Sequence, residues 1–344
     1  MENSFADRIN AFAQLGEILN EFGCFRELIQ ENITKQSLKN PWFIPSFIEY
    51  SLTAIAKMLN HDDLMKLQHH YSIFPRIDSA KDETIAVISA GNIPLAGFHD
   101  FFSVLVSGIR YMGKLFSHDN MMLPIIAEIL IKIYPPFKEK ILFVEKISGF
   151  DKIITTGSNN SARYFEYYFG KYPHILRKNR NSLAILSGDE TDSQLKALYR
   201  DIFLYFGLGC RSVSMLFVPE NYDFNRFIEI MNDCGKEIAM HHHYLNNLDY
   251  QKTMHLMNSV SFIDAGIALL SEKPQLNSPI GIIHWQYYKK MEEVKQFITN
   301  ERENIQCVVS THSAIENGIA FGKAQNPDIL DFADNIDTIK WVIS

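Results

Sequence analysis

The sequence predicts an α/β protein of two domains preceded by a helical lead-in, and three observations point there. From Ser4 to about Leu67 apolar residues recur at three and four, the period of amphipathic helices. Beyond that, short β-branched runs alternate with amphipathic stretches, and the alternation restarts near Gly207. Parallel strands need crossover connections, so this alternation implies a mainly parallel sheet covered on both faces. With 344 residues, 47% of them hydrophobic and 21% charged, the chain can bury a large core.

The lead-in rests on Ile9, Phe12, Leu15, Ile18 and Leu19, and it breaks at Phe74-Pro75-Arg76-Ile77-Asp78. Residues 83–89 then read as a strand that ends in the tight turn Ala90-Gly91-Asn92-Ile93-Pro94. Pro94 sits at an expected first helical position, with Leu95, Phe98, Phe102 and Leu105 as the apolar stripe behind it. A strand at 110–116, a helix over 121–133, a strand at 152–156 and a helix after Gly157-Ser158-Asn159-Asn160 follow. A strand at 182–186 and a helix over 191–206 lead to Gly207-Leu208-Gly209-Cys210-Arg211. The second round comprises a strand at 213–218, a helix from Phe224, a strand at 280–285, a helix from Met291 and a strand at 305–310. The expected organisation is a helical segment (1–75), a first α/β domain (76–206), a second (207–325) and a C-terminal segment (326–344).

Composition excludes several function classes. There are 33 basic and 40 acidic side chains, a formal charge of −7, and no basic block to track a phosphate backbone, so nucleic acid is not expected as a partner. The apolar stretches at 85–95 and 104–109 fall well short of the roughly 20 residues a membrane span needs. Glu2, Asp7 and Glu17 break any secretory leader, so a cytoplasmic location is expected. Cys24, Cys210, Cys234 and Cys307 are too scattered for a disulfide framework, and no C-x-x-C pair marks a structural zinc.

Among candidate chemical groups, Cys210 lies in a glycine-rich turn where backbone can approach a substrate closely, and Arg211 or main-chain N–H groups could hold its thiolate. A buried structural cysteine is the alternative. Asn92 stands at the carboxyl end of a predicted parallel strand, where open α/β sheets bind ligands; it is either an oxyanion donor or a turn asparagine. Gly157 and Ser158 precede a helix, as a phosphate turn or as an ordinary N-cap. The G-x-G-x-x-G fingerprint is absent. His241-His242-His243 lacks the spacing of a metal site, and no metal is expected. His312 is either a proton donor or a surface histidine.

Taken together, Ala90-Gly91-Asn92-Ile93-Pro94-Leu95, Gly113-Lys114-Leu115-Phe116-Ser117, Thr156-Gly157-Ser158-Asn159-Asn160 and Gly207-Leu208-Gly209-Cys210-Arg211 resemble, in order and spacing, the aldehyde dehydrogenase superfamily. Within it the likeness is to fatty acyl-CoA reductases of the LuxC type. The stretches 162–175 and Phe321-Gly322-Lys323-Ala324-Gln325-Asn326-Pro327 look like the short Bacteroidetes forms. The resemblance runs from about Ile85 to the last residue. It implies an aldehyde-dehydrogenase-like fold in which 76–206 binds nucleotide and 207–325 is catalytic, with the site between them. Cys210 matches the nucleophile, and Asn92 matches the amide that forms the oxyanion hole with the Cys210 N–H. Lys114 matches the lysine on the adenosine ribose, Ser117 the selectivity position three residues on, and Gly157 and Ser158 the phosphate-side turn.

Two departures qualify the likeness. Hydrolytic members carry a glutamate base in a Leu-Glu-Leu-Gly-Gly stretch, whereas Leu176-Arg177-Lys178-Asn179-Arg180-Asn181-Ser182-Leu183 has no carboxylate. An enzyme that reduces an acyl thioester needs no activated water, so the expected activity is NADPH-dependent reduction of a fatty acyl-CoA, or acyl-carrier thioester, to an aldehyde through an S-acyl-cysteine. A cysteine-dependent acyltransferase or thioesterase without nicotinamide, and a non-catalytic partner subunit, are the competing expectations. The chain is also shorter than typical members, which leaves open whether it forms a homo-oligomer or delivers aldehyde to a partner enzyme.

Overall fold

The computed structural model describes residues 4–74, 77 and 82–344. The break expected over 74–78 and the boundary at 75/76 fall largely outside the described residues. By its internal contacts the chain forms two units, Met1–Asn179 together with Pro327–Ser344, and Arg180–Asn326.

The first unit opens with helices α1 (Phe5–Glu21), α2 (Arg26–Lys39), α3 (Pro45–Met58) and α4 (His61–Tyr71). Ser4 caps α1 in a reciprocal box with Asp7, and Ile9, Phe12, Leu15 and Leu19 bury the stripe read from sequence. The helices share their core with the sheet unit: the Phe12 ring meets Phe102 edge-on at 4.8 Å. Arg8 is fully buried on the same face; its Nε donates to Val106 O and its Nη2 to Ile77 O, each at 2.7 Å. Gly108 makes room for this guanidinium: at φ +76 it adopts a left-handed backbone, and a Cβ there would lie 3.1 Å from Arg8 Cζ.

Next come β1 (Thr84–Ile88), α5 (Phe98–Val106), β2 (Arg110–Lys114), α6 (Met122–Ile133), β3 (Ile141–Phe143), β4 (Lys152–Thr156), α7 (Asn159–Phe169) and β5 (His174–Arg177). The strands form one parallel sheet in the order β3-β2-β1-β4-β5, with Ile85 opposite Tyr111 and Lys152. Pro94 does not begin the helix after β1. Residues 94–97 form a turn with Leu95 at φ 61, and α5 starts at Phe98. The chain returns to this unit at its end through α12 (Thr338–Ile343), which packs on α5 and whose Trp341 and Val342 carbonyls accept from Lys152 Nζ.

The second unit holds β6 (Asn181–Ile185), α8 (Asp192–Phe203), β7 (Val213–Pro219), α9 (Phe224–Cys234), α10 (His242–Met257), β8 (Ile263–Asp264), β9 (Leu269–Glu272), β10 (Ile282–Tyr288), α11 (Met291–Asn300) and β11 (Ile305–Val309). Its sheet runs β11-β6-β7-β10-β9-β8, parallel except for β8 against β9. Because β6 pairs with β7 and β11, the division falls at 179/180 instead of 206/207. Helix α8, expected to reach residue 206, stops at Phe203: Leu204 leaves the helical conformation and the backbone turns left-handed from Tyr205. Among the described residues, no helix is long and apolar enough to cross a membrane.

Candidate active site

In the first unit the carboxyl ends of β1, β2 and β3 open onto a cavity of about 610 Å³, the place where a parallel sheet leaves backbone free to face a ligand. Lys114 and Ser117, both expected to contact cofactor, line it together with Ser89, Asn120, Phe143 and Glu145. Gly157 and Ser158 are not part of that lining. Ser158 is the N-cap of α7, accepting the Ser161 N–H at 3.2 Å, and Gly157 N–H donates to Arg177 O. A Cβ on Gly157 would stand 3.0 Å from both Phe165 and Ser161, so a side chain there would make these neighbours give by a few tenths of an ångström.

Asn92 is exposed on the turn after β1. Both sides of that turn are fixed. A Cβ on Gly91 would lie 2.2 Å from the Phe116 ring, so this glycine lets the turn lie flat against Phe116. Pro94 O accepts from Ser51 Oγ at 3.2 Å, and the Asp119 carboxylate accepts the Leu95 N–H. Asp119 is 9% exposed, and burial pushes its carboxyl up to about 7 against the opposing pull of that hydrogen bond. The sequence offers Asp119 as a carboxylate that could select NADH beside Ser117, but neither its contact with Leu95 nor the place of Glu145 in the cavity is legible there. Their roles depend on contacts between distant segments that spacing does not carry.

At the end of β5 stands Arg177. It is buried, with Nη1 2.5 Å from Asp100 Oδ2 and Nη2 donating to Thr338 Oγ1 at 2.9 Å.

In the second unit, Cys210 is half-buried on the turn between α8 and β7. Tyr205, Phe206 and Gly207 are left-handed in succession, at φ 56, 55 and 74. For the two non-glycine residues such a backbone costs on the order of 1–2 kcal/mol each. Packing offsets it: Tyr205 and Phe206 are buried, and the Phe206 ring lies 4.4 Å from His241 and 5.5 Å from Tyr244. Cys210 O accepts from Ser182 Oγ at 3.0 Å. Arg211 Nε donates to Ala324 O, and Gln325 Nε2 donates to Ser212 Oγ. The buried Asp201 accepts Gly322 N–H and Ala324 N–H, and burial raises its carboxyl to about 6. The nucleophile candidate thus rests on a turn pinned on both flanks.

The remaining cysteines differ in setting. Cys24 is exposed and Cys234 half-buried, while Cys307 is buried with Sγ 3.0 Å from Ser182 Oγ. Cys307 N–H donates to the same Ser182 oxygen at 3.2 Å, so the hydroxyl ties the Cys307 backbone to Cys210 O. His241 caps α10 by accepting the Tyr244 N–H, and no metal-binding group of His, Cys, Asp and Glu occurs among the described residues. His312 is exposed, and its Nδ1 accepts the Ala314 N–H.

No protein-family model matches the chain, and no curated protein does. Solved structures do. The NAD-dependent benzaldehyde dehydrogenase from Corynebacterium glutamicum is 13% identical over 89% of this chain and 76% of its own, at a TM-score of 0.64. The indole-3-acetaldehyde dehydrogenase AldA of P. syringae, a mutant in complex with NAD+ and IAA, is 11% identical over 92% of this chain and 73% of its own, at 0.65. A putative aldehyde dehydrogenase from Burkholderia cenocepacia gives 11% over 90% and 76%, at 0.64. The fold is therefore aldehyde-dehydrogenase-like, with helices at its front.

Proposed function

We propose that this chain is an oxidoreductase that reduces an acyl-CoA, or another acyl thioester, to an aldehyde with NADPH. The observation that carries it is Arg177: a buried guanidinium paired with Asp100 stands in the stretch 176–183, which the resemblance matches to the glutamate-bearing stretch of acid-forming enzymes. The aldehyde-dehydrogenase-like fold supports aldehyde chemistry on a cysteine.

In this reading the Cys210 thiolate attacks the thioester carbonyl and a C–S bond forms. Asn92 and the Cys210 N–H hold the oxyanion; as it collapses, the bond to coenzyme A breaks and the departing thiolate takes up a proton. Without a base aimed at water, the S-acyl cysteine persists. Lys114 and Ser117 in the wall of the cavity suit the adenosine end of a dinucleotide. Held there by Lys114 and Ser117, NADPH would supply the hydride for reduction of the acyl group, and Cys210 would leave as the thiolate. The expected result is an acyl adduct on Cys210 when the protein is incubated with acyl-CoA alone, detected by peptide mass spectrometry and discharged as aldehyde on adding NADPH. No adduct would overturn the reading. An adduct that turns over without nicotinamide would make the protein an acyltransferase or thioesterase.

Preference for NADPH rests on Lys114 and Ser117. In the resembled superfamily a glutamate three residues after the lysine accompanies NAD use, because its charge repels a 2′-phosphate. A neutral Ser117 beside the Lys114 ammonium accommodates that phosphate. Like charges brought together cost several kcal/mol, so Ser117→Glu should shift the kcat/KM ratio towards NADH by about tenfold or more. A wild-type preference for NADH would refute this and pass the ribose to Glu145, a carboxylate in the same cavity.

A further inference from the structure

We infer that Asp119 is a positioning residue for Asn92, fastening the turn that carries Asn92 to the wall of the cofactor cavity. This deepens the proposed function and rests on Asn92 being the oxyanion donor. Three contacts bracket Asn92, and each joins the turn after β1 to a segment that lines the cavity or lies beside its lining. On one side Gly91 presses on Phe116, a cavity residue, with no room for even a Cβ. On the other, Leu95 N–H donates to Asp119, three residues beyond Phe116. Asp119 N–H in turn donates to Phe116 O at 2.9 Å, closing residues 116–119 into one rigid turn. Further along, Gly97 abuts Ser89 Oγ, 2.3 Å from where a Cβ would be, while Ser89 lines the cavity and donates its N–H to Lys114 O.

The Leu95 contact does most to set the geometry. Leu95 is buried in a left-handed conformation, at φ 61, that a leucine does not adopt without being held. A carboxylate on its N–H holds it, and a buried carboxyl is retained there although burial disfavours its charge. Asn92 lies three residues upstream, so a relaxed Leu95 lets the amide swing away from the oxyanion. Misplacements on the ångström scale cost up to about a hundredfold in rate.

The test is a double-mutant cycle on the rate at which an acyl-CoA acylates Cys210, read by mass spectrometry without nicotinamide. Asp119→Ala should slow acylation about ten- to a hundredfold with Asn92 present. It should have little further effect in the Asn92→Ala background, because a residue acting only through Asn92 has nothing left to position. Asp119→Asn, whose side-chain oxygen still accepts the Leu95 N–H, should recover most of the rate. Phe116→Ala loosens the other flank through a half-exposed side chain and should show the same dependence on Asn92, which keeps the test open if Asp119→Ala folds poorly. Equal slowing by Asp119→Ala with and without Asn92 would overturn the inference, as would an Asp119→Asn protein as slow as the alanine variant. If Asn92→Ala alone leaves acylation unchanged, the oxyanion reading itself has failed.

Discussion

Cys210→Ala is expected to abolish both S-acylation and aldehyde formation, lowering turnover by more than about a hundredfold, while nucleotide binding stays near normal. The size follows from the proposed role of Cys210 as the group that forms the covalent bond, which no oxyanion donor can replace. The selectivity follows from the division of the chain: every residue lining the 610 Å³ cavity belongs to the first unit, and Cys210 belongs to the second. Substitution of Cys24, which is exposed, should be silent. Cys307→Ala should act mildly, on stability, because it leaves Ser182 with its donation to Cys210 O intact. Steady-state rates with an acyl-CoA, together with binding of the nucleotide alone, decide the matter. A Cys210→Ala protein that kept more than a few per cent of its activity would mean another nucleophile.

Asn92→Ala should slow acylation by about 10² to 10³, roughly 3 to 4 kcal/mol, the usual cost of deleting one preorganised oxyanion donor. Thermal stability should barely move. The Asn92 side chain is exposed, and the turn is held by Gly91, Pro94 and Leu95 through Phe116, Ser51 and Asp119. A single-turnover measurement of S-acylation beside a melting curve separates the two effects. An unchanged acylation rate would return Asn92 to the role of a turn residue.

The order of strands and helices was legible because each long element carried its own period: residues 5–21 and 122–133 as helices, 84–88 and 213–219 as strands. What escaped were elements without such a signal. Strands β3 and β5 are three and four residues long, and α10 buries only Tyr244 and Leu248. The boundary was expected at 206/207 because Gly207-Leu208-Gly209 looks like punctuation, whereas the compact units divide at 179/180, in a stretch with no glycine or proline to announce it. Pro94 misled in the same way, since a proline suits a turn as well as a first helical position. Of the residues lining the cavity, Lys114 and Ser117 belong to a motif that the sequence displays in one stretch, 113–117. Glu145 does not; it follows β3, a strand too short to read.

The return of α12 to the first unit sets an order of events during synthesis. Thr338, Ile339 and Val342 are buried, and Thr338 holds the guanidinium that Asp100 neutralises, so the first unit lacks part of its core until residue 343 has left the ribosome. Everything from Arg180 to Asn326 is made before that, and as a continuous stretch with its own six-stranded sheet it can begin to fold first. The nascent amino-terminal portion must meanwhile shelter Phe98, Phe101, Phe102 and the Arg177–Asp100 pair without its closing helix. Folding of the unit that carries the 610 Å³ cavity is thus a late step in this chain, although its strands are translated before those of the other unit.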